Sequence, residues 1–293
     1  MAPLSFDPIA DSYDATRGYP GDIAQQIARQ LNQVAEASSQ TAFLELGVGT
    51  GRIAFPLASL GHRYTGVDIA EKMLERLVEK LQEDQWQRDE RAWGSLPDED
   101  GARTSPVKRF RQTEPEASMR LVTSDVMHLP FRDASFDRVI AVHVLHLIDG
   151  WQQVLREALR VLRPGGFLLH CWDEGSRSSM SSMHAVWQKI VVEMGGSLER
   201  PGATSNQMVV ELLQSWGLQP QSIRALTWEY VTTPRQGIER IVGRSLSSTW
   251  SIPDDIFNAS AEKFWEWAHS YFGAEIDTKQ KVERHFMISK TQV

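Results

Sequence analysis

Apolar and polar residues form two kinds of block along the first 172 residues. Apolar residues three and four positions apart predict amphipathic helices, and short continuous apolar runs predict buried strands. The predicted helices cover 20–37, 52–60, 71–81 and 151–162, and the predicted strands cover 41–46, 64–67, 119–122, 138–144 and 167–172. Because strands and helices alternate, the pattern predicts an α/β protein with a doubly wound, mostly parallel sheet.

Residues 82–118 interrupt this alternation. The segment is polar, mixed in charge and without clear periodicity, so we expect a flexible insertion that lies outside the sheet. The C-terminal third is less regular than the first part. Helices are predicted there near 180–194, 205–216, 235–246 and 254–272, and strands near 223–232 and 281–290.

The composition and net charge of the chain indicate which kinds of molecule it is expected to bind. The net charge is −7 and the pI is about 5.7, so we expect no nucleic-acid partner, because such binding depends on basic residues that neutralise phosphates. Cys171 is the single cysteine, which excludes an intrachain disulfide and a cysteine cluster for zinc, and no metal site is expected. Neither a basic and apolar leader nor a membrane-length apolar run is present, which predicts a cytoplasmic protein without a membrane partner. A monomer and a homodimer both agree with the sequence.

The clearest chemical signal follows the first predicted strand. Residues 43–52 read Phe-Leu-Glu-Leu-Gly-Val-Gly-Thr-Gly-Arg. Alternate glycines after a strand allow a tight turn and a close approach of the backbone to a ligand. A dinucleotide-binding fingerprint has glycine at its sixth position, where this chain has Arg52. Asp68, at the end of the second predicted strand, is a carboxylate that can accept hydrogen bonds from both hydroxyls of a ribose.

Several further motifs stand in a fixed order along the chain. The first is Tyr13-Asp14-Ala15-Thr16-Arg17. The next two are Asp125 followed by Leu129-Pro130-Phe131, and then Asp133-Ala134-Ser135-Phe136-Asp137. The last two are His146-Leu147-Ile148-Asp149, and Leu155-x-Glu157-x-x-Arg160 before Pro164-Gly165-Gly166. Together with the glycine turn, they resemble the class I S-adenosylmethionine-dependent methyltransferases, specifically the type 11 branch that acts on small molecules. The resemblance covers residues 6–80 and 119–172.

The resemblance implies a Rossmann-like, doubly wound sheet of seven strands with the last strand antiparallel. We accordingly expect a single domain. Its expected parts are an N-terminal lid and helix over 1–38, a cofactor-binding core over 41–175 and a C-terminal part over 176–293, which completes the sheet and carries a helical substrate lid over about 234–272.

The resemblance also implies S-adenosyl-L-methionine as cofactor and S-adenosyl-L-homocysteine as its product. The implied cofactor-binding residues are Tyr13, Arg17, Glu45, Gly47, Gly49, Gly51, Asp68, Ile69, Asp125, Val126, Val142 and His143. Asp68 would bind the ribose hydroxyls, Ile69 would pack on the adenine, and Asp125 would accept a hydrogen bond from the adenine amino group. Tyr13 and Arg17 would fold over the site.

Methyl transfer is an in-line displacement at a carbon that a sulfonium already activates, so the protein mainly aligns the reactants and excludes water. A base is needed only where the acceptor carries a proton. His143 and His146 are candidate bases because ligands bind at the carboxyl ends of parallel strands, and the alternative for both is packing or backbone capping. Tyr19, Trp172 and Trp250 are candidate substrate-binding residues, and the alternative for the tryptophans is core packing.

Three other functions compete with methyl transfer to a small molecule. Arg52 and the Leu-Pro-Phe segment argue against an NAD-dependent oxidoreductase. A methyltransferase that modifies nucleic acid or protein is the second, and the chain lacks the Pro-Pro dipeptide and the Pro-Cys dipeptide typical of base-modifying enzymes. The third is a non-catalytic protein of the same fold, which the intact glycine turn and both acids disfavour.

Overall fold

The computed structural model describes residues 5–89, 107–175, 179–198, 201–244, 249–250 and 252–293. Its helices are α1 (Ala10–Arg17), α2 (Ile23–Val34), α3 (Ala54–Ala58), α4 (Glu71–Glu83), α5 (Trp151–Val161), α6 (Ser179–Glu193), α7 (Asn206–Ser215), α8 (Pro234–Val242) and α9 (Asp254–Phe272). Its strands are β1 (Ala42–Leu46), β2 (Arg63–Asp68), β3 (Gln87–Arg88), β4 (Val107–Thr113), β5 (Glu116–Thr123), β6 (Phe136–Val142), β7 (Leu162–Gly175), β8 (Gln221–Thr232) and β9 (Gln280–Gln292).

The predicted α/β class is confirmed, but the predicted count of seven strands is wrong. The described strands form one nine-stranded sheet in the order β3-β4-β5-β2-β1-β6-β7-β9-β8. Within the run β5-β2-β1-β6-β7, each pair of adjacent strands is parallel. Hydrogen bonds between Val293 and both Gly165 and Gly166 join the start of β7 to the end of β9, so β9 runs antiparallel to β7.

The two additional strands come from the segment that we expected to be a flexible insertion. Strand β4 pairs antiparallel with β5 over residues 107–113, and β3 pairs with β4. Trp86 and Phe110 are buried, and Phe110 lies opposite the buried Met119. The expectation that all of 82–118 lies outside the sheet is therefore wrong for its two ends, while residues 90–106 of that segment lie outside the described residues. The polar sequence of this segment predicted a loop because β4 is stable as a strand only when it pairs with β5.

The helices that flank the central strands form because each has one apolar face. On α5, Val154, Leu155 and Ala158 are spaced three and four residues apart, and all are buried against the sheet. Helix α4 buries Met73, Leu77 and their apolar neighbours in the same way. The parallel strands of this region end at one edge of the sheet, where the loops after β1, β2, β5 and β6 begin.

The described chain divides into two compact units, and the single-domain assignment stays a prediction. The first unit contains residues 1–172, 202–226 and 287–293, and the second contains 173–201 and 227–286. The second unit has its own apolar core, in which Trp187 of α6 packs against Phe257 and Phe264 of α9. The segment predicted as a substrate lid, 234–272, belongs to this second unit. Across the described ranges, no helix is both long and apolar enough to cross a membrane.

The burial of β4 gives a stability prediction. Phe110→Ala should lower the free energy of unfolding by about 3–5 kcal/mol, because it removes a buried aromatic ring from the sheet. Arg111→Thr is the matched control, since the neighbouring side chain is exposed and threonine keeps a high strand propensity. Urea unfolding of both variants measures the difference. Equal stability of the two variants would show that this hairpin lies outside the cooperative core.

Candidate functional site

The glycine turn, residues 47–51, lies at the carboxyl end of β1. Gly47, Gly49 and Gly51 have φ angles of 68°, 54° and 74°, which is the left-handed region that L side chains disfavour. The amide groups of Gly47 and Val48 donate to the carbonyl of Val67 at 2.8 and 3.0 Å, so the turn is bound to the end of β2. A Cβ at Gly49 would meet only the end of the Met73 side chain, at 3.4 Å. The backbone at Gly49 is therefore open to a ligand.

Asp68 holds this turn in place. One carboxylate oxygen accepts from the amide of Gly49 at 2.8 Å, and the other accepts from the amide of Ala70 at 2.8 Å. Burial raises the pKa of Asp68, while its backbone hydrogen bonds oppose that rise. A carboxylate has about four acceptor positions, and the amides of Gly49, Ala70 and Ile69 use three of them, so one remains for a hydroxyl group of a ligand. Ile69, the next residue, is 38% exposed, which is unusual for a large apolar side chain at this edge.

Glu45 is a buried carboxyl group directly below the turn. The hydroxyl of Tyr64 on β2 donates to Glu45 Oε2 at 2.7 Å. Burial raises the pKa of Glu45 to about 8, against the opposing effects of the Tyr64 hydrogen bond and the charge of Arg52. Burial and the neighbouring Glu45 also raise the pKa of Tyr64. At neutral pH the pair is therefore mostly uncharged and supports the turn from the sheet.

Asp125 lies in the loop after β5, and its carboxylate accepts from the amide of Met127 at 2.8 Å. His128 of the same loop is exposed, and its Nδ1 lies 3.9 Å from the Asp125 carboxylate. Val126 and Val142, two further predicted cofactor contacts, are buried at the ends of β5 and β6.

Two residues of α5 secure the Leu-Pro-Phe part of that loop. Glu157 accepts from the amide of Leu129 at 2.8 Å, and Arg160 donates to the carbonyls of Leu129 and Phe131 at 3.1 and 2.8 Å. Arg160 also pairs with Glu157, and this hydrogen bond lowers the pKa of Glu157 despite its burial. Two of the motifs that carry the resemblance are therefore the two halves of one hydrogen-bonded support.

Several histidine and tryptophan residues gather at the carboxyl ends of β6 and β7. His143 has a φ angle of 50°, a strained conformation for a side-chain-bearing residue, and its amide donates to the carbonyl of Cys171 at 3.2 Å. The ring of His170 lies next to that of Trp172, with centroids 5.3 Å apart and the planes tilted by 35°. Burial, and then the neighbouring His143, lowers the pKa of His170 to about 4, so this imidazole is neutral at physiological pH. His146 lies in the short helical turn Leu145–Leu147.

Residues 202–203 pack on the segment that carries His146. The amides of Gly202 and Ala203 donate to the carbonyls of His146 and Leu145 at 3.3 and 3.1 Å. A Cβ at Gly202 would come within 2.0 Å of the Leu145 carbonyl oxygen, so only glycine allows this approach. Sequence reasoning missed Gly202 because its partner is far away in the chain.

The N-terminal segment reaches the residues around the glycine turn, and the cofactor roles of Tyr13 and Arg17 and the substrate role of Tyr19 stay predictions. Tyr13 packs with Phe6 next to Ala70 and Met73. The carbonyl of Arg17 accepts from Arg52 at 2.6 Å, and the Arg52 guanidinium lies 4.5 Å from the centre of the Tyr19 ring.

The predicted residues are thus divided between the two units. Trp250 is in the second unit, where its indole nitrogen donates to the carbonyl of Arg244 at 2.8 Å, and every other predicted site residue is in the first unit. Sequence reasoning missed Tyr64, Asp14 and Lys80. Asp14 is part of a recognised motif, but the residues next to Tyr64 and Lys80 in sequence do not indicate a role for either. Tyr64 contacts Glu45, 19 positions away, and Lys80 contacts Asp14, 66 positions away.

Comparisons with known proteins agree with this geometry. Two family profiles, both described as a methyltransferase domain, match residues 43–102 and 102–170. A demethylmenaquinone methyltransferase of Tropheryma whipplei is 25% identical over 173 residues, which are 59% of each chain. A phosphatidylethanolamine N-methyltransferase of Cereibacter sphaeroides is 32% identical over 123 residues, 42% of this chain and 46% of that protein. The chain thus spans about three-fifths or less of the length of these relatives.

Solved structures show the same fold. The YcgJ protein of Bacillus subtilis superposes with a TM-score of 0.54 at 16% identity, covering 93% of this chain and 100% of that chain. The cyclase SpnF superposes with a TM-score of 0.52 at 15% identity, covering 94% and 84%. At these identities the likeness concerns the fold alone, and the cyclase shows that the fold occurs with more than one named activity.

The raised pKa of Glu45 predicts how stability depends on pH. An acid whose pKa is higher in the folded state stabilises the fold most at low pH, and this contribution is lost as pH rises. The wild type should therefore lose stability between about pH 4.5 and pH 8 relative to Glu45→Gln, which keeps an acceptor for Tyr64 but does not titrate. One pKa unit corresponds to about 1.4 kcal/mol, so the relative loss should exceed ~1 kcal/mol in urea unfolding at the two pH values. A constant difference between the two proteins would contradict the assignment.

Proposed function

We propose that the protein transfers a methyl group from S-adenosyl-L-methionine to a small-molecule acceptor. Residues 43–102 and 102–170 match family profiles described as a methyltransferase domain, which supports this proposal. The observation that carries the proposal is the open, left-handed backbone of the glycine turn bound to Asp68. A turn of this kind lets a ligand approach the backbone closely, and the adjacent carboxylate provides an acceptor for a ribose hydroxyl.

The residues around the turn suit the separate parts of the cofactor. Ile69 offers an exposed apolar surface for the adenine, and Asp125 offers a carboxylate for its amino group. The glycine turn, with Glu45 below it, would lie along the ribose and methionine parts, next to Val142 and His143. Tyr13 and Arg17 would cover them from the N-terminal segment. Val126 would meet an adenine ring nitrogen through its backbone.

The reaction would need alignment more than acid–base chemistry. Bound S-adenosyl-L-methionine supplies an electrophilic methyl carbon on a sulfonium, and displacement leaves S-adenosyl-L-homocysteine as a neutral thioether. The acceptor atom forms the new bond to that carbon on the side opposite the sulfur. His143 and His146 are the candidate groups for taking a proton from an acceptor that carries one.

The acceptor is proposed to be a small molecule. The relatives named above are methyltransferases for demethylmenaquinone and phosphatidylethanolamine, and the net charge of −7 disfavours a nucleic-acid substrate. Tyr19 and Trp172 are the proposed acceptor contacts in the first unit. Acceptor selection by Trp250 and by residues 234–272 stays a prediction, as does a cytoplasmic location.

The direct test is methyl transfer itself. The purified protein and S-adenosyl-L-methionine with a labelled methyl group would be incubated with fractionated small metabolites. We expect label in at least one small molecule, and we expect much less label with Asp68→Ala. Transfer only to added RNA, DNA or protein would overturn the small-molecule proposal, and absence of cofactor binding would overturn the enzyme proposal.

Asp68→Ala should weaken binding of S-adenosyl-L-methionine roughly ten- to a hundredfold, because an unpaired or missing buried hydrogen bond costs about 1–3 kcal/mol. Isothermal titration calorimetry measures the change. Asp84→Ala is the control, since it removes an exposed carboxylate just after α4. Equal affinity in both variants would show that Asp68 does not contribute to the cofactor site.

Gly49→Ala and Gly21→Ala separate backbone strain from contact with the ligand. The φ angles of Gly49 and Gly21 are similar, 54° and 48°. A Cβ at Gly49 would lie 3.4 Å from the end of the Met73 side chain, and a Cβ at Gly21 would have no neighbour within 4 Å. Both substitutions should therefore cost about 1–2 kcal/mol of stability. Only Gly49→Ala should weaken cofactor binding, by more than ~10-fold in calorimetry. Unchanged affinity in Gly49→Ala would contradict a close approach of the cofactor at this position.

A further inference from the structure

Three acidic residues of the N-terminal segment meet three successive turns of α4. Asp7 accepts from the amide of Lys72 at 2.8 Å, Asp11 pairs with Arg76, and Asp14 Oδ2 lies 2.6 Å from Lys80 Nζ. Positions 72, 76 and 80 are four residues apart and therefore share one face of the helix. The N-terminal segment thus makes three polar contacts with α4, in addition to the apolar packing of Tyr13 and Phe6 next to Ala70 and Met73.

The Asp14 contact also includes the glycine turn. The hydroxyl of Thr50 donates to Asp14 Oδ1 at 2.7 Å, and Lys80 Nζ donates to the carbonyl of Thr50 at 2.8 Å. Thr50 is only 1% exposed and lies between Gly49 and Gly51. The side chains of Asp14 and Lys80 therefore bind the hydroxyl and the carbonyl of Thr50, the residue that joins these two glycines.

A second connection runs from the end of the turn to the end of α1. Arg52 donates to the carbonyl of Arg17 and lies over the Tyr19 ring, at distances of 2.6 and 4.5 Å. Asp68 binds the turn at Gly49 from the side of the sheet. The turn is consequently held on one side by the sheet and on the other by the N-terminal segment.

We propose that Asp14 and Lys80 are positioning residues that couple the N-terminal segment to the glycine turn, so that the attached segment slows release of the cofactor. The inference rests on the proposed function. Neither residue needs to touch the cofactor: each acts through Thr50, whose position sets the backbone on both sides of it. Exposed ion pairs contribute little stability, as for Asp11, whose side chain is 84% exposed, so the coupling depends on the shared contact with buried Thr50.

Lys80→Met tests the coupling, because methionine keeps the helix and the apolar stem but removes the charge and the donor. Lys72→Met is the matched control, since it removes an exposed lysine side chain two turns earlier while its backbone amide still donates to Asp7. Lys80→Arg restores a charged donor. The two measurements are hydrogen exchange of residues 10–17 in the free protein and the release rate of S-adenosyl-L-homocysteine by stopped flow.

In Lys80→Met, the amides of residues 10–17 should exchange faster with solvent. S-adenosyl-L-homocysteine should be released roughly fivefold faster, which corresponds to the lower end of the coupling effects usually found between two sites of a protein. Lys72→Met should resemble the wild type, and Lys80→Arg should recover most of the slow release. The wild-type release rate should also rise between 0.05 and 0.5 M salt, on the order of the Lys80→Met effect, because ion pairs are screened.

Faster exchange without faster release would overturn the coupling and leave a purely structural contact. Equal exchange and release in Lys80→Met and Lys72→Met would overturn it as well. A wild type that binds no S-adenosyl-L-homocysteine would overturn the proposed function itself and the coupling with it, and this outcome is distinct from the other two.

Discussion

The candidate site depends on one backbone constraint, the left-handed glycine turn that Asp68 binds through the amide of Gly49. Three left-handed residues in five positions would cost about 1–2 kcal/mol each with ordinary side chains, so the turn exists only because glycine occupies them. The turn brings bare backbone to the carboxyl end of β1, beside the carboxylate that ends β2. Asp68 therefore has a structural task in addition to its proposed contact with the ribose.

The motifs of the sequence are mostly supports for the loops at this edge. Glu157 and Arg160 bind the backbone of Leu129 and Phe131 and so fix the loop that begins with Asp125. Glu45 and Tyr64 support the glycine turn as a buried pair with raised pKa values. A site assembled from several loops needs such supports, because a displacement of about 1 Å in one loop is enough to disturb alignment of two reactants.

The turn is also held from outside the sheet. Asp14, Lys80 and Thr50 connect it to α1 and α4 by contacts of 2.6 to 2.8 Å. Asp14 and Lys80 are charged and partly exposed, whereas the supports from the sheet are buried. Salt should therefore weaken the contacts with the N-terminal segment more than the contacts with the sheet. This difference agrees with the proposal that the N-terminal segment can detach while the sheet keeps the turn in place.

The sequence alone determined those features that depend on neighbours along the chain. Apolar residues three and four apart predicted α2, α4 and α5, and glycine spacing predicted the turn, because both patterns act within a few residues. The resemblance agrees with the two methyltransferase-domain profiles that match residues 43–102 and 102–170, and it correctly indicated an antiparallel last strand, β9. Only the tertiary structure showed that β4 joins the sheet, that Trp250 belongs to a second compact unit, and that Tyr64, Lys80 and Gly202 support the site. Strand pairing, hydrogen bonds and ion pairs between side chains, and close backbone contacts depend on residues that are distant in sequence. A polar segment such as 107–113 carries no local sign of the partner that buries Phe110.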